Sequence, residues 1–384
     1  MKVAKIFGAL LCTAVFVSAS AACAQEYGGT VVATGLNNPR GLAFGPDGSL
    51  YIAESGYYVP GTSLTTVNSR GLTFTYSTTG SITQLSGGVQ TRILTGLPSI
   101  GSTADVTGPN DIAFGSGGTG YVLVGLGLNP AARTTDLAPV GSQLGQLYVF
   151  NSGGITPFSD ISAYETANNP AGGPVDSNPF HLTSLATGLL VTDAGGNDLL
   201  RVDGGGTVSL VGAFPPAAPG APERVLTGIT VAPDGSYYVS ELTGAPFIPG
   251  SANIYHLLTD GTVAGVFGGF TMLTDLAFGL DGSLYALEYD TNGLFAPGGT
   301  GALLRINSDG SSNTLFTGLT QPTGLAIAPD GAFYVSNFSA SAGTGQVLRI
   351  EAVPEPSTWA MMILGFGVAG IGIRRSRKAQ YAAI

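Results

Sequence analysis

The chain has 384 residues, 44% of them apolar, only 10% charged, with 60 glycines and a formal net charge of −10. That supplies a real core, and so much glycine without a G-X-Y period means many tight turns rather than collagen. Residues 25–352 hold eight Arg against 23 Asp or Glu and no Lys, hence −15. Such a body has no cation cluster for nucleic-acid phosphates, and no lysine for Schiff-base or P-loop chemistry.

The N-terminus reads as an export signal over residues 1–24. Lys2 and Lys5 form the basic start, Ile6 to Val17 the apolar stretch, and Ala22-Cys23-Ala24 a small-residue cleavage site. A lipoprotein signal through Cys23 fits less well, because Ser20 stands where a large aliphatic residue belongs. Cys12 and Cys23 are the only cysteines. The exported chain therefore has no disulfide, no thiolate nucleophile and no Cys–zinc site.

From residue 25 to 352 the sequence is repetitive. Six segments share one pattern, beginning at Gly41 (GLAFGPDGSLYIAES), Asp111, His181, Gly228, Asp275 and Gly324, with spacings of 70, 70, 47, 47 and 49 residues. In each, an apolar run meets a turn, mostly Pro-Asp-Gly or a relative, and an alternating strand follows. Asp-Gly between two such runs is a hairpin signal. A second strand pair follows, clearest at Ala302–Ile306 and Asn313–Phe316 around Ser308-Asp309-Gly310. Four strands in each of six units predict an all-β, six-bladed propeller of four-stranded antiparallel blades. Helix is expected only in the terminal segments, as an N-terminal signal helix and a C-terminal transmembrane helix.

We name the strands A to D from the channel outward. Antiparallel order puts the B–C and D–A connections on one face. The insertions around 56–76, 126–144, 244–251 and 291–299 are all B–C connections, so they crowd that face, as functional loops do on a rigid scaffold. The last repeat lacks a D strand. VVATGLNNPRGLA before the first repeat matches TLFTGLTQPTGLA at 314–326, so Thr30–Leu36 is predicted to close the ring beside Gly345–Glu351.

Position 14 of the repeats, at the end of strand B, holds Glu54, Val124, Asp193, Glu241, Glu288 and Asn337; position 1 holds Asp111 and Asp275 in two of them. Both positions open beside the channel mouth. Crowded carboxylates repel, so they require cations, hydrogen bonds or raised pKa values. One reading has them satisfying backbone N–H groups at strand ends. Another makes them oxygen ligands of a hard cation, Ca²⁺, which takes 6–8 oxygens, with Asp193, Glu241 and Glu288 as the ligand set. A third is an acid/base catalytic mouth. Of the two histidines, His256 reads as a packed residue of a C strand. His181, on a D–A connection, is the best general-base candidate and a further mouth residue. No H-E-x-x-H, G-x-S-x-G or GxGxxG context exists.

The tail, residues 353–384, has an apolar run of 16 residues from Thr358 to Ile373, roughly 24 Å as a helix. That is slightly short for a span. Arg374, Arg375, Arg377 and Lys378 follow and would hold the end in the cytoplasm. A plain C-terminal anchor is one reading. Pro354-Glu355-Pro356, then Trp359-Ala360, a glycine-rich apolar segment and the Arg cluster resemble the PEP-CTERM sorting domain in its PEPxxWA form. That resemblance implies processing by an exosortase-type membrane protease during export, transient anchoring in the inner membrane, and an exopolysaccharide-producing setting.

The body also resembles a family. VVATGLNNPRGLAFGPDGSLYIAESG, NPFHLTSLATGLLVTDAGGNDLLRVD and the passages at 225–257, 275–306 and 322–350 are similar to the ScyD/ScyE family of exported propellers. More distantly the architecture is similar to NHL-repeat proteins and to calcium-dependent gluconolactonase-like hydrolases, which hold a metal at the channel mouth with Glu, Asn and Asp. Two functions are therefore expected. The first is a binding or scaffold module of the cell envelope or extracellular matrix, with a polysaccharide or small ligand as partner. The alternative is a Ca²⁺-type propeller hydrolase such as a lactonase.

Overall fold

A computed structural model of the chain describes residues 25–67, 70–218 and 220–353. The signal segment, and the tail with its apolar run and sorting motif, lie outside the described residues, as do the two terminal helices expected there. Among the described residues no helix is long and apolar enough to cross a membrane.

Tyr27–Ala352 forms one compact unit of six antiparallel sheets. The inner A strands are Pro39–Phe44, Pro109–Phe114, Pro179–Leu185, Leu226–Val231, Leu273–Phe278 and Leu325–Ile327. Each packs against the next round the axis, which makes the architecture a six-bladed propeller. The first blade carries two additional short strands, Thr65–Val67 and Val106–Thr107.

The A–B turns form for a local reason. Asp47, Asp234, Asp281 and Asp330 each accept the N–H two residues on, and the following glycine takes a positive φ, +76° at Gly48, which an L side chain rarely adopts. Strand B is buried on both sides, so its apolar residues are continuous and its period of two appears in the packing. In the third blade Leu189 and Val191 face the second blade, and Leu190 faces the fourth. The core is accordingly six apolar layers, one between each pair of neighbouring blades.

The ring closes as the sequence match predicts. Tyr27–Asn37 is the outer strand of the last blade and pairs antiparallel with Ala342–Ala352, Thr30 opposite Arg349 and Leu36 opposite Gly345. Closure removes two exposed strand edges.

Three short helical elements depart from expectation: single 3-10 turns at Pro130–Arg133 and Gly141–Gln143 in the long loop of the second blade, and one α-helix. The D–A connection between the second and third blades contains a helix, α1, Ile161–Asn168. Asp160 caps it by accepting the Ala163 N–H, and Asn169 ends it in the left-handed region. The glycine-rich background hides this helix from periodicity, because its two turns are too short to show an apolar stripe.

Leu36 is fully buried in the closing strand, between the last and first blades. Leu36→Ala is expected to cost about 2–5 kcal/mol in urea unfolding. Thr34→Ala, exposed on the same strand, should stay within about 0.5 kcal/mol. Equal small effects would show that this strand does not seal the ring.

Candidate functional site

The polar centre of the molecule lies on the axis. Position 1 of the six repeats sits at one level of the inner strands and reads Gly41, Asp111, His181, Gly228, Asp275, Gly324. The inner strands of the second, third and fifth blades each change register at this level. Asp111 and Asp275 belong to the second and fifth blades, which face each other across a six-membered ring. His181, from the third blade, bridges them: Nε2 lies 2.8 Å from Asp275 Oδ1 and Nδ1 lies 3.3 Å from Asp111 Oδ2. Both carboxylates are buried, and the histidine side chain keeps 13% exposure.

Each carboxylate is also tied to backbone. Asp111 accepts from its neighbour Ile112 N–H and from Leu182 N–H of the next blade, both at 2.8 Å. Asp275 does the same with Leu276 and Leu325, both at 2.7 Å. The glycines of this ring are obligatory for space. A Cβ on Gly41 would lie 1.7 Å from Asp111 Oδ1, and one on Gly228 2.6 Å from the Asp275 Cα.

Burial opposes a charge on His181, but the two carboxylates outweigh it and push its pKa up to about 9. Burial, with Asp275 nearby, pushes Asp111 up to about 7, against the pull of His181 and two N–H donors. At neutral pH His181 is thus an imidazolium with both ring nitrogens turned to carboxylates. Nε2 carries the close contact, while Nδ1 forms no hydrogen bond and meets Asp111 through charge alone. His181 stands within the inner strand rather than on the connection before it.

Beyond this bridge the channel widens into a cavity of about 370 Å³ running along the inner strands, past Phe44, Phe114, Ser184 and Phe278. These residues lie toward the A–B turns, on the face opposite the long loops. Its charged lining among the described residues is Asp111 and His181.

The position-14 residues do not join the axis. They are buried at the ends of the B strands, and four of the six bind the connection that enters their blade. Glu54 accepts Asn37 N–H, Asp193 accepts Asn178 N–H, Glu288 accepts Thr271 N–H, and Asn337 accepts Thr320 N–H through Oδ1, at 2.6–2.8 Å. Glu54 also takes Arg92 in a two-pronged contact. Glu241 takes the Asn253 amide and the Tyr255 hydroxyl. Burial raises the pKa of Asp193 and of Glu288, while the N–H bonds work against the rise. Among the described residues no three Asp, Glu or His side chains are placed to share a metal ion. Asp193, Glu241 and Glu288 are held apart, each by its own blade.

Linkage gives the axis a signature. The raised pKa of His181 contributes stability that is complete below about 6.5 and lost as pH rises through about 9. Asp111 acts in the same direction, because its ionisation is deferred from 3.8 to about 7. The melting temperature should therefore fall between pH 6 and pH 10. His181→Ala leaves two buried carboxylates facing each other and should cost about 3–5 kcal/mol. Adding Asp275→Asn should restore part of that loss; no recovery in urea unfolding would refute the charge argument.

Residues 352–378 match the PEP-CTERM protein-sorting motif. No curated protein matches the chain. Among solved structures the fold is similar to a gluconolactonase of Xanthomonas campestris, with TM-score 0.51 and 11% identity over 84% of this chain and 89% of that one. It is similar also to a protein of unknown function from Dyadobacter fermentans, with TM-score 0.52 and 11% identity over 85% and 98%. A third is a protein of unknown function from Bacteroides thetaiotaomicron, with TM-score 0.51 and 11% identity over 85% and 77%. These likenesses concern the fold. The chain is a six-bladed propeller carrying a PEP-CTERM motif, which marks it as exported and sorted by way of the cell envelope.

Proposed function

We propose that this exported propeller is a binding module of the extracellular matrix, and that its loop-bearing face takes a neutral polysaccharide. The observation that carries the reading is an exposed apolar patch on the B–C loops of the fourth and fifth blades. Phe295 is 71% exposed, Ile248 45% and Leu294 38%. Phe247 and Phe295, from the two different loops, meet edge to face at 5.2 Å. Exposed rings and aliphatic groups on a rigid scaffold mark a contact surface, and an aromatic face stacks on the C–H face of a sugar. A body of charge −15 repels polyanions, which favours an uncharged chain.

The alternative, a calcium-type lactonase, needs open oxygen ligands around the axis. There the four oxygens of Asp111 and Asp275 accept four backbone N–H groups, and His181 supplies the cation. That ligand set does not fit. The ScyD/ScyE resemblance agrees with an exported propeller without assigning it chemistry.

For the tail we propose transient anchoring in the inner membrane and processing by an exosortase-type enzyme near Pro354–Trp359. Mass spectrometry of the protein from its native host is expected to find a C-terminus before residue 374. A chain still ending at Ile384 would indicate a permanent anchor.

For the patch, Phe295→Ser and Ile248→Ser should lower retention in affinity electrophoresis on the host's exopolysaccharide by about tenfold, the equivalent of about 1.4 kcal/mol. Melting should be unchanged. Leu280→Ser, equally exposed but on an A–B turn, is the control and should bind normally. Retention unchanged by the loop variants would reject the loop face as the binding surface.

A further inference from the structure

The third blade holds a second group of buried acids that the axis does not use. Asp193 and Asp198 stand directly opposite each other across the B–C hairpin. Like charges in that position destabilise a hairpin. A third acid, Glu165, reaches them from α1. Asp193, Asp198 and Glu165 are 0%, 0% and 1% exposed.

Their oxygens are not in the same condition. Asp193 is saturated: Oδ1 accepts from Asn178, Gly195 and Gly196 N–H, and Oδ2 from the Ser177 hydroxyl at 2.7 Å. Glu165 and Asp198 are the reverse. They lean on each other, and none of their four buried oxygens meets a donor from any other residue; Oδ1 of Asn197 and Oδ1 of Asp176 are likewise buried without a partner. Unpaired buried acceptors of this number are rare and costly. Repulsion and burial both act on them: burial first, then the neighbouring acids, push Glu165 up to about 7 and Asp198 up to about 8.

The local backbone keeps space between the acids. A Cβ at Gly196 would sit 3.1 Å from Glu165 Oε2 and 3.3 Å from the Asp193 carboxyl carbon. Asn197 turns through the left-handed region, φ +57°. A hydroxyl pair, Ser162 of α1 with Ser177 at 2.7 Å, fixes α1 beside the hairpin. What neutralises the acids that this structure holds together is a proton shared between Glu165 and Asp198, which a cation would displace.

We propose that Glu165 and Asp198, with the Asn197 side-chain oxygen, bind one Ca²⁺ between α1 and the B–C hairpin of the third blade. Asp193 adds charge from behind and stays on its N–H donors. The two free carboxylates can each give one or two oxygens, and water completes the 6–8 that calcium takes. The site offers no nitrogen or sulfur, which disfavours zinc. Binding would lock α1 and the connection after it onto the loop-bearing face once the chain reaches a calcium-containing exterior. The site is independent of the polysaccharide patch, which lies on the fourth and fifth blades.

The test uses the purified full-length protein, stripped with EDTA, then melted and titrated calorimetrically with CaCl₂ and with MgCl₂ at about 2 mM, above the range of extracellular calcium modules. CaCl₂ is expected to raise the melting temperature by about 3–6 °C, with MgCl₂ giving less. The double variant Glu165→Gln/Asp198→Asn should lose the calcium shift. In EDTA it should melt at or above the wild type, because the repulsion is gone. If it does not fold, Asn197→Gly decides, since glycine suits the positive φ. Calcium binding about tenfold weaker supports the site, and unchanged binding overturns it. Equal wild-type melting in CaCl₂ and EDTA with no heat of binding overturns the proposal, as does a calcium shift that survives in the double variant.

Discussion

Six inner strands converge on one axis, and whatever polar groups they carry there must be neutralised by one another. Position 1 places two carboxylates, Asp111 and Asp275, on opposite sides of that axis. Left alone they would repel, and both are buried, where charge interactions are strong. His181 stands at the same level on a third strand and, among the described residues, is the cation that reaches both. The three remaining positions are glycine, and at Gly41 and Gly228 a methyl group would already collide with an aspartate. Charge and space at this level are solved together.

From the axis the same device repeats outward. The Asp111 and Asp275 carboxylates each take an N–H from the following blade. Hydroxyl groups one residue earlier do likewise: Thr227 donates to Leu273 O, Thr274 to Pro322 O and Thr323 to Pro39 O, at 2.8–3.1 Å. At the ends of the B strands, acids and an Asn bind the incoming connections. A body of net charge −15 thus buries many of its acids as acceptors for its own backbone. Between these polar rings lie the six apolar layers and a closing strand from the opposite end of the body. Without a disulfide, cohesion rests on packing and on this sharing of hydrogen bonds between blades.

The blade count, the ring closure and the loop-bearing face were legible because each follows from a repeat. The repeat fixes strand parity, and parity fixes faces. The axial bridge was half legible. His181 begins its repeat just as Asp111 and Asp275 begin theirs, and second and fifth blades must oppose each other in a ring of six. Read as one column, position 1 gives the bridge; read as a connection residue, His181 looks like a free base. The position-14 acids pointed to the right level of each blade, but sequence cannot say whether an acid faces the axis or the N–H behind it. Glu165 and Asp198 were beyond reach for another reason. Glu165 sits on a helix too short for periodicity to detect. Asp198 lies outside the aligned repeat positions, and only the register of the hairpin sets it against Asp193.

The distribution of unsatisfied chemistry then separates structural from functional acids. In a buried acid that serves the fold, the oxygens are spent on N–H groups, as in Asp111, Asp275 and Asp193. In Glu165 and Asp198 they are not, though burial is as complete. Evolution of a stable propeller alone would replace such a pair by apolar residues, since an unpaired buried charge is costly and an isosteric apolar pair is not. The same contrast applies to apolar groups: the blades bury theirs in pairs, while Phe295 and Ile248 stay in solvent on loops that the scaffold does not need. Both exceptions arise on the face where connections can vary without disturbing the blades. The axis, by contrast, is closed on itself: each change there alters charge balance in three blades at once.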